Sequence, residues 1–284
     1  MGRDENSGLS RRRFVSSAVA GSGVLLASGS SQAASSDLLQ ESKTELPPMH
    51  KKAKPDVAML LYPGVTVLDL IGPQAVLASS CNVYLVWKNT DLLETDSGIV
   101  MKATSTLDQC PKDLDVLFVP GGEFSIMRDD EVLRFLADRG SRARYVTSVC
   151  GGSIVLGAAG LLQGYDATSH WTARDKLPLF GATPIEARVV RDRNRISGGG
   201  VTAGIDFGLV LLAELLGEDV AKMTQLMLEY DPAPPFDAGT PEKAGAEILS
   251  MIQKTLDSMD GALTPMCAAA ARDMGKYTPI ESSS

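Results

Sequence analysis

Cys150 has the surroundings of a catalytic nucleophile, because it lies between a predicted strand and a predicted helix. Residues 145–149 are predicted to form a short strand, and residues 152–159 have a helical pattern. A cysteine on such a sharp turn is presented outward, and Gly151 and Gly152 leave room beside it. Free N–H groups at the start of the helix favour thiolate over thiol. The alternative is a buried structural cysteine, the commonest fate of an unpaired thiol.

The other three cysteines have no comparable setting. Cys110 precedes Pro111 in a predicted loop, and Cys81 and Cys267 adjoin no strand-to-helix turn. We therefore predict that these three are non-catalytic and that Cys150 is the only thiol that reacts at neutral pH.

A thiol nucleophile needs a group beside it that can accept and return a proton, and Asp69 is the candidate. It lies within the apolar segment 67–73, just after the first predicted strand. Partial desolvation there should raise its pKa and let it hold a proton. Asp is also a preferred residue for capping a helix N-terminus, and the two roles are compatible.

Further residues are candidates for lining the site. His170 follows the helix after Cys150, and the chain returning to the next strand would bring it to the same sheet edge. A structural, hydrogen-bonded histidine is an equally weighted alternative. Gly121 and Gly122 end the strand expected beside the nucleophile strand, so their N–H groups are candidates for holding negative charge, unless they form an ordinary tight turn. The glycine run 198–200 predicts close backbone packing near the site.

The elements that must position these residues alternate along the chain. Strands are predicted at 57–61, 82–87, 116–119 and 145–149, with an edge or hairpin strand at 99–103, and the clearest apolar runs are 57–61 and 116–119. Helical patterns cover 68–78, 130–139, 152–159, 202–216, 220–228 and 244–259. Pro73 is acceptable in the helix 68–78 only near its start. Thr202 is predicted to cap the N-terminus of the helix 202–216. The pattern predicts an α/β fold, a doubly wound parallel sheet with helices on both faces. One domain should span 56–240, followed by a helical C-terminal extension, 241–284, packed on the domain or on a partner subunit.

Composition excludes several classes of protein. The net charge of −8 argues against nucleic-acid binding, which needs clustered Lys and Arg. Only His50 and His170 are histidines, which argues against a His-rich zinc centre. Four cysteines without a Cys-x-x-Cys motif do not form a disulfide framework.

Residues 1–33 are predicted to be a twin-arginine export signal. Arg11 and Arg12 precede Phe14 and a weakly apolar stretch too short to span a bilayer. The signal predicts a periplasmic or otherwise exported protein without stable membrane insertion after signal removal, or a cytoplasmic one if the signal does not function. Residues 34–55 are polar, contain Pro47 and Pro48, and are predicted to be a linker.

Five segments together resemble the ThiJ/PfpI family of the class I glutamine amidotransferase-like superfamily. They are residues 69–73, 119–122, 147–150, 167–171 and 198–206. Within the family the chain most resembles isonitrile hydratases, from about residue 56 to about residue 241. The resemblance implies a flavodoxin-like homodimer without a cofactor, with Cys150 as nucleophile and Asp69 as its acid/base partner. Isonitrile hydratases carry a catalytic Thr after the cysteine, so Gly151 is a departure, and the export signal is a second one.

The implied reaction is hydration of a small-molecule isocyanide to an N-substituted formamide through a thioimidate on Cys150. Protonated Asp69 would donate to the isocyano carbon and then activate water, and N–H groups of Gly151 and of Gly121 or Gly122 would steady the intermediate. Three alternatives stay open. The first is another cysteine hydratase or lyase of this fold, such as a glyoxalase-like enzyme acting on 2-oxoaldehydes. The second is a non-enzymatic redox or stress protein. The third, a regulator's ligand-sensing domain, is disfavoured because no helix-turn-helix follows Leu228.

Overall fold

The computed structural model describes residues 54–277. The predicted export signal, 1–33, and all but the last two residues of the predicted linker, 34–55, lie outside this range. Within it, no helix combines the length and the apolar character that crossing a membrane requires.

Eleven strands lie between residues 54 and 277. They are β1 (Asp56–Leu60), β2 (Asn82–Trp87), β3 (Leu92–Glu94), β4 (Val100–Lys102), β5 (Ser105–Thr106), β6 (Val116–Val119), β7 (Tyr145–Val149), β8 (Asp166–Ala167), β9 (Thr183–Pro184), β10 (Val189–Asp192) and β11 (Arg195–Gly198). Seven of them form the central sheet, in the order β10-β11-β7-β6-β1-β2-β5. All neighbours are parallel except β10 and β11, which form an antiparallel pair.

Six α-helices accompany the strands in the described range. They are α1 (Val67–Leu77), α2 (Asp130–Arg142), α3 (Gly152–Ala158), α4 (Ala203–Leu216), α5 (Glu218–Met227) and α6 (Pro241–Asp273). Helices α1, α4 and α5 pack in one group, and α2, α3 and α6 in another. With β1, β6 and β7 wholly buried between them, this is the predicted flavodoxin-like α/β sandwich.

Helix α1 differs from its prediction in a way that matters for the site. It begins at Val67 and runs through Pro73, which is the seventh of its 11 residues and not near its start. Proline has no N–H, so the main-chain carbonyl of Asp69, four residues earlier, receives no helical hydrogen bond from it. Pro73 instead packs against Gly204 of α4, where a Cβ would lie 3.1 Å from the proline ring. The close approach of α1 and α4 thus accommodates the proline.

Smaller predictions differ in their outcome. Thr202 precedes α4 but makes no side-chain capping bond, because its own backbone is already helical. The edge or hairpin strand predicted at 99–103 is confirmed as β4, which pairs with β3 in a separate two-stranded hairpin. Helix α6 is much longer than predicted and is interrupted at Gly245, where φ is +76°. The part of α6 near Leu263 and Cys267 is buried against the body of the domain.

Candidate active site

Four adjacent parallel strands, β11, β7, β6 and β1, end at one edge of the sheet. Val149 of β7 pairs with Gly198 of β11, and Ser148 pairs with Val119 of β6. The residues that follow these strands therefore emerge at the same level. The carboxyl edge of an open parallel sheet is where such folds build their sites.

Cys150 emerges from β7 in a strained turn. Its φ is +58°, in the left-handed region that non-glycine residues seldom occupy, at a cost of about 1–3 kcal/mol. Hydrogen bonds hold this conformation from both sides of the peptide. The Cys150 N–H donates to the carbonyls of Gly198 at 3.2 Å and Gly199 at 2.8 Å, and the Ser169 hydroxyl donates to the Cys150 carbonyl at 2.7 Å. The strain is thus carried by the surrounding loops, and the thiol is held at the sheet edge.

Asp69 is completely buried beside the Cys150 thiol. Its Oδ2 accepts the Gly121 N–H at 2.9 Å, whereas no N–H or O–H group of residues 54–277 donates to Oδ1. Burial raises the pKa of Asp69 to about 6, and hydrogen bonds from Cys150 and Gly121 offset part of that rise. The direction agrees with the prediction from the apolar surroundings.

The alternative role of Asp69 as a helix cap is wrong. Asp69 is the third residue of α1, and Thr66 occupies the N-cap position. The first N–H of the helix, that of Val67, is instead bound by Oδ1 of Asp96 at 3.1 Å. Asp96 comes from the loop between β3 and β4, so a distant segment caps the helix and leaves the Asp69 carboxyl to the site.

The pKa of the Cys150 thiol is raised, contrary to the prediction from its place before a helix. Burial is the main cause and the negative charge of Asp69 the next, whereas the hydrogen bond from the Gly151 N–H lowers the pKa by less. The helix that follows has only seven residues, so its dipole is small. At neutral pH the Asp69–Cys150 pair therefore holds one proton, on sulfur, and one negative charge, on the carboxylate.

The glycine loop after β6 orients the Asp69 carboxyl group and is not free to bind a negative charge that develops on a substrate. The N–H of Gly121 is already engaged by Asp69, which corrects its predicted role as an oxyanion donor. A Cβ on Gly121 would lie 2.6 Å from Asp69 Oδ2 and 2.9 Å from the Gly151 nitrogen, so only glycine fits. Gly122 has a φ of +151° and pairs with Val65 in a β-bridge. Of the three predicted donors, Gly151 has its N–H directed at the Cys150 sulfur.

Tyr62 supports the same loop and was not singled out from the sequence. Its buried hydroxyl donates to the carbonyl of Pro120 at 3.0 Å, which ties the end of β1 to the residue before Gly121. Burial, together with the charges of Asp69 and Cys150, raises the pKa of Tyr62 well above its usual value. Its position directly before Pro63 and Gly64 indicates the end of a strand, and no sequence signal shows that the phenol turns back toward the site.

His170 is not brought to the thiol. Its Nδ1 lies 2.8 Å from the Thr172 hydroxyl and accepts the Thr172 N–H at 3.3 Å, so the proton of the neutral ring lies on Nε2. Burial lowers the pKa of His170, which keeps the ring neutral at pH 7. The predicted approach to the same sheet edge is correct, but the hydrogen-bonding partner of His170 is Thr172.

A cavity of about 480 Å³ adjoins the nucleophile turn on the His170 side. Its walls include Ser169 and Gly199, which bind the main chain of Cys150, and they also include His170. Among the described residues that line it, neither Cys150 nor Asp69 is present. The cavity therefore adjoins the backbone of the nucleophile turn and does not open on the sulfur.

The remaining cysteines are buried, and their pKa values are raised by burial, to about 11 for Cys81 and Cys267. Between residues 54 and 277, no three side chains of His, Cys, Asp or Glu gather closely enough to hold a metal ion. The groups that the described residues place at the site include one thiol, one carboxyl group and the main-chain N–H groups around them.

Several known proteins are similar to this chain in sequence or in structure. An isonitrile hydratase from Pseudomonas putida is 50% identical over 202 residues, which cover 70% of this chain and 88% of that protein. A deglycase from Thermococcus kodakarensis is 29% identical over 145 residues, covering 50% of this chain and 87% of the deglycase. The crystal structure of a ThiJ/PfpI family protein from Pseudomonas syringae superposes with a TM-score of 0.72 at 47% identity, covering 80% of this chain and 97% of that one.

The family model for the DJ-1/PfpI family matches residues 55–214, the part of the chain that contains β1 to β11 and most of α4. This range includes Asp69, Gly121, Cys150 and His170. The chain is therefore a member of the DJ-1/PfpI family.

Proposed function

We propose that this protein is a cysteine-dependent hydratase that converts isocyanides to N-substituted formamides. The observation that carries the proposal is the pairing of a buried carboxyl group, Asp69, with the Cys150 thiol, since together they hold one exchangeable proton. The likeness to the Pseudomonas putida isonitrile hydratase, at 50% identity over most of both chains, supports the substrate class.

In the first step, the thiol proton moves through Asp69 to the isocyano carbon while the sulfur of Cys150 bonds to the same carbon. The terminal carbon of an isocyanide carries a lone pair, so it accepts the proton before or as the sulfur adds. The product is a thioimidate, R–N=CH–S–Cys150, and Asp69 is again a carboxylate. A pKa of about 6 suits Asp69 to this exchange, because neither its acid nor its carboxylate form is far in energy at neutral pH.

In the second step, Asp69 takes a proton from water as the hydroxyl adds to the thioimidate carbon. The nitrogen receives that proton, and the tetrahedral adduct, R–NH–CH(OH)–S–Cys150, collapses. The carbon–sulfur bond breaks, the hydroxyl proton passes to the departing sulfur, and R–NH–CHO leaves. The sum is addition of one water with no net oxidation, so the reaction as proposed requires no cofactor. The Gly151 N–H, which faces the sulfur, stabilises the thiolate as it forms and departs.

A redox function fits the site less well. Oxidation to sulfenic and sulfinic acid proceeds from the thiolate, and a raised thiol pKa keeps that form scarce at neutral pH.

The test is turnover of isocyanides labelled with ¹³C at the terminal carbon, with the formyl product followed by NMR. Wild-type protein should yield the formamide, and Cys150→Ala should yield none while keeping its circular dichroism spectrum. Cys81→Ala is the matched control, since it removes a thiol remote from Asp69 and should remain active. No formamide from small alkyl or aryl isocyanides would overturn the proposal, and lactate from methylglyoxal would then indicate a glyoxalase-like hydratase. Homodimer formation and twin-arginine export stay predictions from the sequence.

A further inference from the structure

The backbone conformation does not explain why residue 151, directly after the nucleophile, is a glycine. Its φ of −67° and ψ of −9° are ordinary helical values that any residue adopts. A Cβ at this position would, however, lie 2.8 Å from Cζ and 2.9 Å from Cε1 of Phe124. These distances are shorter than carbon–carbon van der Waals contact, so the Phe124 ring occupies the space of the missing side chain.

Phe124 is held in this place by the same loop that orients Asp69. It begins a 3₁₀ helix, Phe124–Arg128, two residues after the glycine pair. Ile126 and Met127 of that helix are buried, and α2, α3 and α6 pack against it. The ring is half-buried, so it is anchored on one side and open on the other. A rigid apolar surface thus lies beside the nucleophile turn.

The geometry points to Phe124 as a specificity-determining residue that contacts the substituent of the substrate, an inference that rests on the proposed function. The reacting carbon must bond to Cys150 sulfur and reach the Asp69 carboxyl, so its substituent R extends away from Asp69. The ring bounds the space beside Gly151, and Cys150 remains partly exposed, which leaves an approach next to the ring. An apolar wall favours apolar substituents, because a polar group placed against it loses its hydrogen bonds to water. The substrate class is an isocyanide with a compact apolar R group.

The contact predicts a coupling between positions 124 and 151. Gly151→Ala should lower the melting temperature, because the added methyl displaces the ring, but should not lower it when Phe124 is already replaced by Ala. Gly261→Ala is the matched control, since Gly261 lies in α6 with nothing within 4 Å of an added Cβ, and it should behave alike in both backgrounds. If Gly151→Ala lowers the melting temperature equally in the wild-type and Phe124→Ala proteins, the Phe124 ring is not the reason that residue 151 is a glycine.

The role in specificity is tested by kcat/KM for isocyanides with small, branched and aryl R groups. Phe124→Ala should raise the ratio for bulky over small substrates by about tenfold, an ordinary magnitude for a change in an apolar pocket. Met223→Ala, an exposed apolar residue on α5, is the control and should leave the ratio unchanged. An unchanged ratio in folded Phe124→Ala protein would overturn the inference.

A second readout does not depend on isocyanide turnover. Cys150 can be alkylated with iodoacetamide or with the bulkier N-phenylmaleimide, and Phe124→Ala should raise the rate for the maleimide about fivefold more than the rate for iodoacetamide. If wild-type protein hydrates no isocyanide but Phe124→Ala changes the ratio of the maleimide rate to the iodoacetamide rate, the proposed function fails and the apolar wall beside Cys150 is supported. If both rates change equally, the wall itself is refuted.

Discussion

Asp69 and His170 flank the nucleophile turn from opposite sides, and burial acts on both in the same sense, toward the neutral form. The consequences differ because one is an acid and the other a base. The pKa of Asp69 rises to about 6, within reach of neutral pH, whereas the pKa of His170 falls below its ordinary value and moves away from it. Asp69 can therefore exchange a proton during a reaction at neutral pH, and His170 stays an uncharged hydrogen-bonding group.

Their contacts divide in the same way. Asp69 interacts with the Cys150 thiol and is oriented by the Gly121 N–H. His170 is fixed by Thr172 and lines a neighbouring cavity. The buried carboxyl group of Asp69 therefore contacts the Cys150 thiol and has a pKa near neutral pH, whereas the histidine on the other side of the turn has neither property.

The largest expected effect is on turnover. Asp69→Asn keeps the size of the side chain but removes the exchangeable proton, so kcat/KM for an isocyanide should fall by about 10²–10⁴-fold. The measurement is formamide production at pH 7.5, with the exposed Asp91→Asn as the matched control. Retention of wild-type kcat/KM by Asp69→Asn would show that another group moves the proton.

The next effect is on stability. Since the folded protein holds the Asp69 proton more tightly than the unfolded chain, ionising Asp69 destabilises the fold as pH rises from about 4 to above 6. The shift from 3.8 to about 6 corresponds to about 3 kcal/mol at pH 7. Asp69→Asn does not titrate, so its free energy of unfolding relative to wild type should rise by about that amount between pH 4 and pH 7.

Urea unfolding at a series of pH values measures this change for Asp69→Asn. In the same series, His170→Gln should show the opposite dependence of the free energy of unfolding on pH. The folded-state pKa of His170 is lowered, so the wild-type protein loses stability relative to His170→Gln as pH falls below the unfolded value of 6.5. If neither variant differs from wild type by a free energy of unfolding that varies with pH, then burial does not shift the pKa values of Asp69 and His170.

A smaller effect concerns the thiol itself. The charge of Asp69 raises the pKa of Cys150, so Asp69→Asn should lower that pKa and speed alkylation by iodoacetamide at pH 7.5, by about tenfold. Turnover and alkylation would then move in opposite directions in one variant. In wild-type protein, label should reach Cys150 well before the buried Cys81, Cys110 and Cys267. Peptide mass mapping checks both points, and equal labelling of all four would refute the second.

The smallest expected effect is that of His170→Ala on turnover. Because the His170 ring is bound to Thr172 and not to the thiol, kcat/KM should change by less than about threefold, the loss of one neutral hydrogen bond at a distance. Thr172→Val, which removes the hydroxyl partner, should have a similarly small effect. A loss comparable to that of Asp69→Asn would place His170 in the proton path and remove the contrast between the two sides.

Much of the fold was predictable because its signals are local. The strands β2, β6 and β7 have the boundaries expected from their apolar runs, and the alternation of strands and helices indicated the parallel sheet. The pair β10 and β11 was missed because charged residues such as Arg191 and Arg195 interrupt any apolar run. The position of Pro73 within α1 is not predictable from local sequence, because its tolerance depends on Gly204 of another helix.

For the site, the sequence by itself determined which groups could react and which edge of the sheet would carry them. Cys150 at a strand end and Asp69 in an apolar segment follow from residue type and from the rule that parallel strands gather their carboxyl ends. Only the tertiary structure decided how these groups behave. It raised the thiol pKa, gave the Gly121 N–H to Asp69, placed the Phe124 ring on Gly151 and tied His170 to Thr172. The physical reason is that a strand or a turn depends on neighbours along the chain, whereas desolvation and hydrogen-bond partners depend on what packs in from elsewhere.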